Sequence, residues 1–228
     1  MHRDLALALL EQLEQQGALH IPAGWETTSL PGLVQSVEGR LDPVAQGHAL
    51  RNLGKVLCWA GKFQDAEPAL LEALQKLGDD GETLYLLGMV CLQHSTHKEA
   101  EQYFRRALKI GYLNANLLIN LGMISLAQND LAQAAAFFRR GIQQDPSEMK
   151  AHYNLGNVMA RQKNFIEAER SYREASRLTP GNPTVLNNLA NVLVELRRLD
   201  EAIQIYQRVL ALDPDNPSAT RNLATVQR

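Results

Sequence analysis

Cysteines, aromatic residues and long apolar runs are all scarce in this sequence of 228 residues. Its two cysteines, Cys58 and Cys91, are too few for a disulfide framework, so we expect both thiols to be reduced. The formal net charge of −2 lacks the basic excess that is typical of nucleic-acid binding. No stretch approaches the roughly 18 consecutive apolar residues that a membrane span needs. These absences predict a folded cytoplasmic protein that binds no nucleic acid and does not insert into a membrane.

The first part of the chain, residues 1–46, contains one short apolar run, LALALL. Acidic residues flank this run and no small-residue cleavage site follows it, which argues against a secretory signal. We interpret the segment as an N-terminal helical cap or extension. The alternative is that its helix, or the loop residue Trp25, enters a groove or contacts a partner. An amphipathic helix is predicted by the spacing of Leu5, Leu9 and Leu13.

The rest of the chain is organised by a repeat of 34 residues. A small residue recurs at this interval without slippage, in the contexts RNLGKV, YLLGMV, INLGMI, YNLGNV, NNLANV and RNLATV. Unrelated glycines would not keep this register, so a repeat architecture is predicted before any other fold. With repeats numbered from residues 47, 81, 115, 149, 183 and 217, position 8 is Gly54, Gly88, Gly122, Gly156, Ala190 and Ala224.

Other repeat positions predict two helices in each repeat. Alanine recurs at position 20 and a leucine or aromatic residue at position 24, and spacings of three and four lie on one helical face. Asn182-Pro183 and Asn216-Pro217 predict N-caps followed by proline at the first helical position. The small residue at position 8 predicts close antiparallel packing, in which it faces the alanine at position 20.

These positions resemble the tetratricopeptide repeat family, whose pattern is Leu-Gly at positions 7–8, Ala at 20, an aromatic residue at 24 and Ala at 27. The stretch NLGNV, with EA and Y-x-x-A further on, is most similar to the repeats of O-linked N-acetylglucosamine transferases. The resemblance implies an all-α, right-handed superhelical solenoid of antiparallel helix pairs. It divides the chain into the extension 1–46, five repeats at 47–80, 81–114, 115–148, 149–182 and 183–216, and a C-terminal capping helix at 217–228.

The resemblance also places the first helix of each repeat along a concave groove. Position 6 of these helices is asparagine in five of the six cases. Asparagine is unfavourable inside helices, and Leu86 occupies the same position, so packing does not require an amide there. Each amide offers a donor and an acceptor to an extended peptide, and related families bind peptides through such an asparagine ladder. The alternative is that the amides bond neighbouring helices and stiffen the stack.

The candidate peptide-binding residues are these amides together with polar and aromatic neighbours on the same helices. Basic groove residues outnumber acidic ones, so we expect an acidic ligand group near the first repeat. The alternative is that scattered surface charges contribute little to binding. The complete set is Asn52, Asn120, Asn154, Asn157, Asn188, Asn191, Asn222, Arg51, Lys55, Tyr85, Lys150 and Tyr153.

The residues present argue against two more specific activities, the binding of acidic chaperone tails and the binding of a metal ion. The family members that grip acidic chaperone tails resemble a clamp with Lys at position 5 and Asn at position 9, where this chain has Tyr85 and Met89. Cys91, His94 and His97 have a metal-like spacing, but Cys91 lies at a core position and no fourth ligand is near. We therefore expect no metal and no cofactor.

The sequence contains no phosphate-binding loop, nucleophile elbow or recognisable pair of catalytic carboxylates, so we predict that the protein is not an enzyme. We predict a protein-interaction scaffold that holds an extended partner segment in its groove. One alternative is a self-assembling or complex-stabilising subunit that uses the N-terminal helix, with homo-oligomers as the consequence. Another is a subunit that recruits a separate modifying enzyme.

Overall fold

The computed structural model describes residues 42–227, in which every regular element is an α-helix. The predicted all-α class is therefore confirmed for this part of the chain. Residues 1–41 of the predicted cap, which spans 1–46, lie outside the described residues. The helices are α1 Pro43–Trp59, α2 Phe63–Leu77, α3 Gly81–Gln93, α4 His97–Lys109, α5 Ala115–Ala127, α6 Leu131–Gln144, α7 Met149–Arg161, α8 Phe165–Leu178, α9 Pro183–Glu195, α10 Leu199–Leu212 and α11 Pro217–Val226.

The helices form two compact units, which divide in sequence between Leu113 and Asn114. The first unit contains α1–α4 and the second contains α5–α11. Within each unit, consecutive helices pack as pairs and successive pairs pack against one another. The short turns inside the pairs make their helices antiparallel. Among the described helices, none combines the length and the apolar character that crossing a membrane requires.

Eight of the eleven described helices begin directly after a residue whose side chain caps the first turn. The Oδ1 of Asn182 accepts hydrogen bonds from the backbone N–H of Thr184 (3.0 Å) and Val185 (3.2 Å). Asn216 caps α11 in the same way, accepting from the N–H of Ala219 at 3.0 Å. Both predicted Asn-Pro starts are confirmed. Helix α1 begins at Pro43, so the border predicted between residues 46 and 47 falls inside this helix.

The turn within each helix pair uses a left-handed backbone conformation at position 15. Gly61 adopts φ of +76° there in the first repeat. Four non-glycine residues take the same place in the later repeats, although a side chain disfavours this conformation. Their φ angles are +61° for Ser95, +62° for Asn129, +59° for Lys163 and +61° for Arg197.

The glycine at position 8 makes room for the side chain at position 24. A Cβ added to Gly156 would lie 2.7 Å from Cδ1 of Tyr172, and one added to Gly88 would lie 2.4 Å from Cε1 of Phe104. The nearest atoms belong to position 24, one turn beyond the alanine at position 20, whose predicted contact with the glycine stays a prediction. The side chain at position 24 therefore occupies the space that a side chain at position 8 would need.

Candidate functional site

Asparagine side chains line the first helices of the second unit. We use the name amide row for these residues at repeat positions 6 and 9, which lie on α5, α7, α9 and α11. All of them are half-buried, a level of exposure at which an amide can bond to its own protein and still meet a ligand. The amide row consists of Asn120, Asn154, Asn157, Asn188, Asn191 and Asn222.

A three-residue hydrogen-bonded link joins α7, α8 and α9. The hydroxyl of Tyr172 donates to Oδ1 of Asn157 at 2.7 Å. The Nδ2 of Asn188 donates to the same oxygen at 3.2 Å, and its distance to the hydroxyl of Tyr153 is 3.3 Å. One amide oxygen thus ties the second helix of a repeat to the first helix of the next.

The same link recurs one repeat further along the chain. The hydroxyl of Tyr206 donates to Oδ1 of Asn191 at 2.6 Å, and Nδ2 of Asn222 donates to that oxygen at 2.8 Å. The amides therefore do bond neighbouring helices, as the structural alternative to peptide binding required. This internal role uses only part of their hydrogen-bonding capacity.

Each link keeps both a donor and an acceptor for another molecule. Among the described residues, no group accepts from Nδ2 of Asn157 or Asn191, and none donates to Oδ1 of Asn188 or Asn222. An asparagine amide has two N–H donors and an oxygen with two lone pairs, so these atoms can still bind the N–H and C=O groups of a peptide. The two roles of the amides are compatible.

The two tyrosines of the links occupy position 24, which the sequence placed on the packed helical face, but their hydrogen bonds to the asparagines were not predicted. Tyr172 is 2% exposed and Tyr206 is 1% exposed. Burial raises the pKa of the Tyr172 hydroxyl, and it raises the pKa of Tyr206 to about 12. Both phenols therefore stay protonated and donate hydrogen bonds at neutral pH.

A signal for the links is present in the sequence. Position 9 and position 24 vary together between repeats, because a buried tyrosine hydroxyl needs a polar partner and a buried phenylalanine does not. The pairs are Met89 with Phe104, Met123 with Phe138, Asn157 with Tyr172, and Asn191 with Tyr206.

The remaining predicted residues of the second unit lie on the same first helices. Lys150 is exposed near the start of α7, and Asn154 is half-buried one turn further on. Tyr153 packs its ring 6.0 Å from that of Tyr172. Asn187, which precedes Asn188, has a buried Oδ1 that accepts no hydrogen bond from any described group.

The basic residues Arg51 and Lys55 of the first unit, near which an acidic ligand group was expected, are paired with carboxylates. Lys55 Nζ lies 2.6 Å from Glu82 Oε1, and Arg51 contacts both Asp80 and Glu82 at 3.4 Å. Lys55 also lies over the ring of Trp59, 5.3 Å from its centroid. These contacts leave little uncompensated positive charge for a ligand.

Two further predicted residues of the first unit are engaged within it. The Oδ1 of Asn52 accepts a hydrogen bond from Arg51 at 3.4 Å. The ring of Tyr85 packs 5.9 Å from that of Phe104 and 6.0 Å from that of Tyr112, and burial raises the pKa of its hydroxyl to about 12. The predicted residues of the first unit therefore form ion pairs and aromatic contacts, whereas the amide row consists of uncharged amides.

The cysteine and histidine spacing near residue 94 does not assemble a metal site in the described part of the chain. No group of three His, Cys, Asp or Glu side chains is placed there to hold an ion. Cys91 is buried, as its core position predicted, and His97 Nδ1 contacts the carbonyl of Ser95 at 2.9 Å.

Two family models match consecutive parts of the chain. The model described as tetratricopeptide repeat matches residues 46–112. The model described as tetratricopeptide repeat protein 21 C-terminal ARM domain matches residues 112–225, which is half of the chain. No curated protein sequence matches this chain.

Solved structures show the same fold at low sequence identity. YrrB, described as a TPR protein with an unusual peptide-binding site, is 19% identical, with a TM-score of 0.68 over 76% of this chain and 90% of YrrB. MamA residues 41 to the end from Desulfovibrio magneticus RS-1 is 18% identical, with a TM-score of 0.67 over 78% of this chain and 99% of that one. In the anaphase-promoting-complex hetero-tetramer Cut9-Hcn1, the matching chain is 18% identical, with a TM-score of 0.67 over 80% of this chain and 36% of that one.

Proposed function

Because the chain belongs to the tetratricopeptide repeat family, we propose that it is a non-catalytic scaffold whose amide row binds the backbone of an extended partner segment. The observation that carries this proposal is the recurring link between Asn157 and Asn188 and between Asn191 and Asn222. Each link fixes two amides in place and keeps one donor group and one acceptor atom for a ligand.

The links hold these amides in place before a ligand binds, and this favours binding. A side chain that is already held loses less conformational entropy when a ligand binds, so more of each new hydrogen bond contributes to affinity. The pattern of one donor and one acceptor suits the peptide backbone, which presents N–H and C=O groups whatever its side chains are.

The fold provides a precedent for this use. YrrB, which shares the fold, is described as having a peptide-binding site. The resemblance of the repeats to those of O-linked N-acetylglucosamine transferases supports a binding role for the asparagines. It supplies no argument for a transferase reaction in this chain.

We place the proposed peptide site on the second unit. The acidic ligand group expected near the first repeat would have to compete with Asp80 and Glu82 for Arg51 and Lys55. A ligand carboxylate would replace one partly buried ion pair with another, so the exchange gains little. Among the described residues, no carboxylate is hydrogen-bonded to Asn157, Asn188, Asn191 or Asn222.

Selection from a displayed library of random 12-residue peptides, followed by Kd measurements on a labelled selected peptide, tests this function. Asn188→Leu and Asn222→Leu are suitable variants, because Leu86 occupies the same repeat position naturally. Each should weaken binding about two- to tenfold, the range expected for one lost hydrogen bond. Gln204→Leu, on the exposed side of α10, is the matched control and should bind like the wild type.

Two results would count against the proposal. The first is a selected peptide that binds both leucine variants with unchanged Kd while circular dichroism shows them folded. The second is failure to enrich any peptide, combined with concentration-dependent oligomers that disappear when residues 1–41 are deleted. That combination would favour the self-assembly alternative.

A further inference from the structure

We propose that Tyr172 on α8 and Tyr206 on α10 are positioning residues, which set the orientation of side-chain amides in the amide row. This inference rests on the proposed function, and it assigns a binding role to two core residues. Neither tyrosine needs to touch the ligand. Each acts through the asparagine oxygen to which its hydroxyl donates.

An asparagine amide can adopt two orientations of nearly the same shape. Rotation by 180° about its last bond exchanges the oxygen and the NH₂ group at almost no steric cost, so packing alone does not fix which of them faces a ligand. A hydrogen-bond partner whose proton has no other acceptor among the described residues selects one orientation. In the link on α7, this partner is the hydroxyl of Tyr172, 2.7 Å from Oδ1 of Asn157.

The reversed amide would leave the link badly paired. With Nδ2 of Asn157 turned inward, it would face Nδ2 of Asn188, and two donors would meet. The proton of the Tyr172 hydroxyl would also lose its acceptor, and an unsatisfied buried polar group is destabilising. The observed orientation satisfies all three groups through one oxygen.

The orientation of the Asn157 amide also determines that of Asn188 in the next repeat. Because Asn188 donates its Nδ2 to the Asn157 oxygen, its own oxygen points away from the link. One tyrosine hydroxyl thus fixes the orientation of two amides. The amide at position 9 keeps an N–H donor for a ligand, and the amide at position 6 of the following repeat keeps an oxygen acceptor. Tyr206 sets Asn191 and Asn222 in the same way, so the ligand meets the same order twice.

The tyrosines are well suited to this task. Their rings are almost fully buried, so the hydroxyls are held in place by the core. Desolvation raises the pKa of both hydroxyls and keeps the donating proton on each. The repeats with Met at position 9 have Phe at position 24, so the hydroxyl is present where there is an amide to orient.

The first experiment needs no peptide. In spectra of uniformly ¹⁵N-labelled protein, Tyr172→Phe should move the side-chain NH₂ signals of Asn157 and Asn188 and speed their exchange with water. The corresponding signals of Asn191 and Asn222 should stay in place. Tyr103→Phe, on the second helix of another repeat, is the control and should move neither pair. Unchanged signals from Asn157 and Asn188 in Tyr172→Phe would overturn the inference.

The second experiment measures affinity for the library-selected peptide. Tyr172→Phe should weaken binding about two- to tenfold, as a direct contact variant would. The double variant Asn157→Met with Tyr172→Phe copies the pair found in the second and third repeats. Tyr172→Phe alone should lower the midpoint of urea unfolding, and the double variant should restore it. The double variant should not restore the affinity for the peptide.

The outcomes separate this inference from the function on which it rests. Unchanged affinity in Tyr172→Phe, when Asn188→Leu binds more weakly, would overturn the positioning role and leave the peptide site standing. Unchanged affinity in Asn188→Leu would instead reject the peptide site, and the NH₂ signals would still decide whether Tyr172 orients the amides.

Discussion

At the scale of single residues, one side chain in this protein bonds to its own core and also belongs to the proposed binding surface. Asn157 accepts from Tyr172 and from Asn188 while its NH₂ group remains for a ligand. Peptide binding and helix bonding were two competing interpretations of the asparagines. The geometry makes them compatible, because an amide has more hydrogen-bonding capacity than either role uses.

The buried phenol of Tyr206 predicts a fall in stability at alkaline pH. Its pKa is raised to about 12 in the folded protein, against about 10 for an exposed tyrosine. Folding therefore favours the protonated form, and this contribution is complete below pH 10 and lost as the pH rises from about 10 towards 12. The free energy of unfolding of the wild type should fall over this range, and that of Tyr206→Phe should fall less steeply.

Urea unfolding at pH 9, 10 and 11 measures this difference. Val209→Ala, a core truncation on the same helix, introduces no change in ionisable groups and should keep the wild-type slope. Equal slopes for the wild type and Tyr206→Phe would show that Tyr206 is not the group that titrates.

The residue scale also shows what the sequence could predict. The asparagines were found because a polar residue recurs where packing accepts Leu86. The hydrogen bonds of the tyrosines were not predicted, because an aromatic residue at position 24 is expected of the core in any case. The joint variation of positions 9 and 24 could have indicated the pair Asn157 and Tyr172. The third member, Asn188, is 31 residues from Asn157 and becomes evident only when α7 and α9 are brought together.

At the scale of elements, the helix pair depends on its turn and on its caps. The repeat period predicted the number and order of the helices, because two periodic faces recur in every 34 residues. The Asn-Pro starts were equally predictable, since their chemistry is local. The contact of the position 8 glycine with the side chain at position 24 was not predicted, because it depends on how two helices approach one another.

The left-handed turn at position 15 predicts a stabilising substitution. Lys163 has φ of +59°, a conformation that glycine adopts without steric cost, as Gly61 does at the same repeat position. Lys163→Gly should raise the free energy of unfolding by about 0.5–1 kcal/mol, the strain relieved less the added entropy of the unfolded chain. The preceding residue, Gln162, has φ of −78° and provides the control. Lys163→Gly proving no more stable than Gln162→Gly in urea unfolding would contradict the prediction.

The N-cap of α9 predicts a loss of stability. Asn182→Ala removes the acceptor for the N–H groups of Thr184 and Val185 and should lower the free energy of unfolding by about 1 kcal/mol. Asn182→Asp keeps a capping oxygen and should stay close to the wild type. Equal losses in the two variants, measured by thermal or urea unfolding, would mean that the cap contributes nothing.

At the scale of the whole molecule, the chain is nearly neutral and its proposed binding groups are uncharged. The net charge is −2, and the basic residues Arg51 and Lys55 already have acidic partners. Attraction between charges should therefore contribute little to peptide binding, and salt has little to screen.

A salt titration distinguishes the two units as binding surfaces. The Kd of the selected peptide should change by less than about twofold between 50 and 500 mM sodium chloride, because amide hydrogen bonds are not screened as charges are. A tenfold loss of affinity over this range would indicate charged contacts and would favour the acidic ligand group expected at the first repeat.

The most direct test of peptide-backbone binding is a scan of the selected peptide itself. Two series of the peptide would be made, one with single N-methylated backbone amides and one with single alanine substitutions, and their Kd values compared on the wild-type protein. Backbone recognition by the amide row predicts that N-methylation at particular positions weakens binding about tenfold while most alanine substitutions change it little. Strong dependence on side chains with tolerance of every N-methyl group would contradict the account.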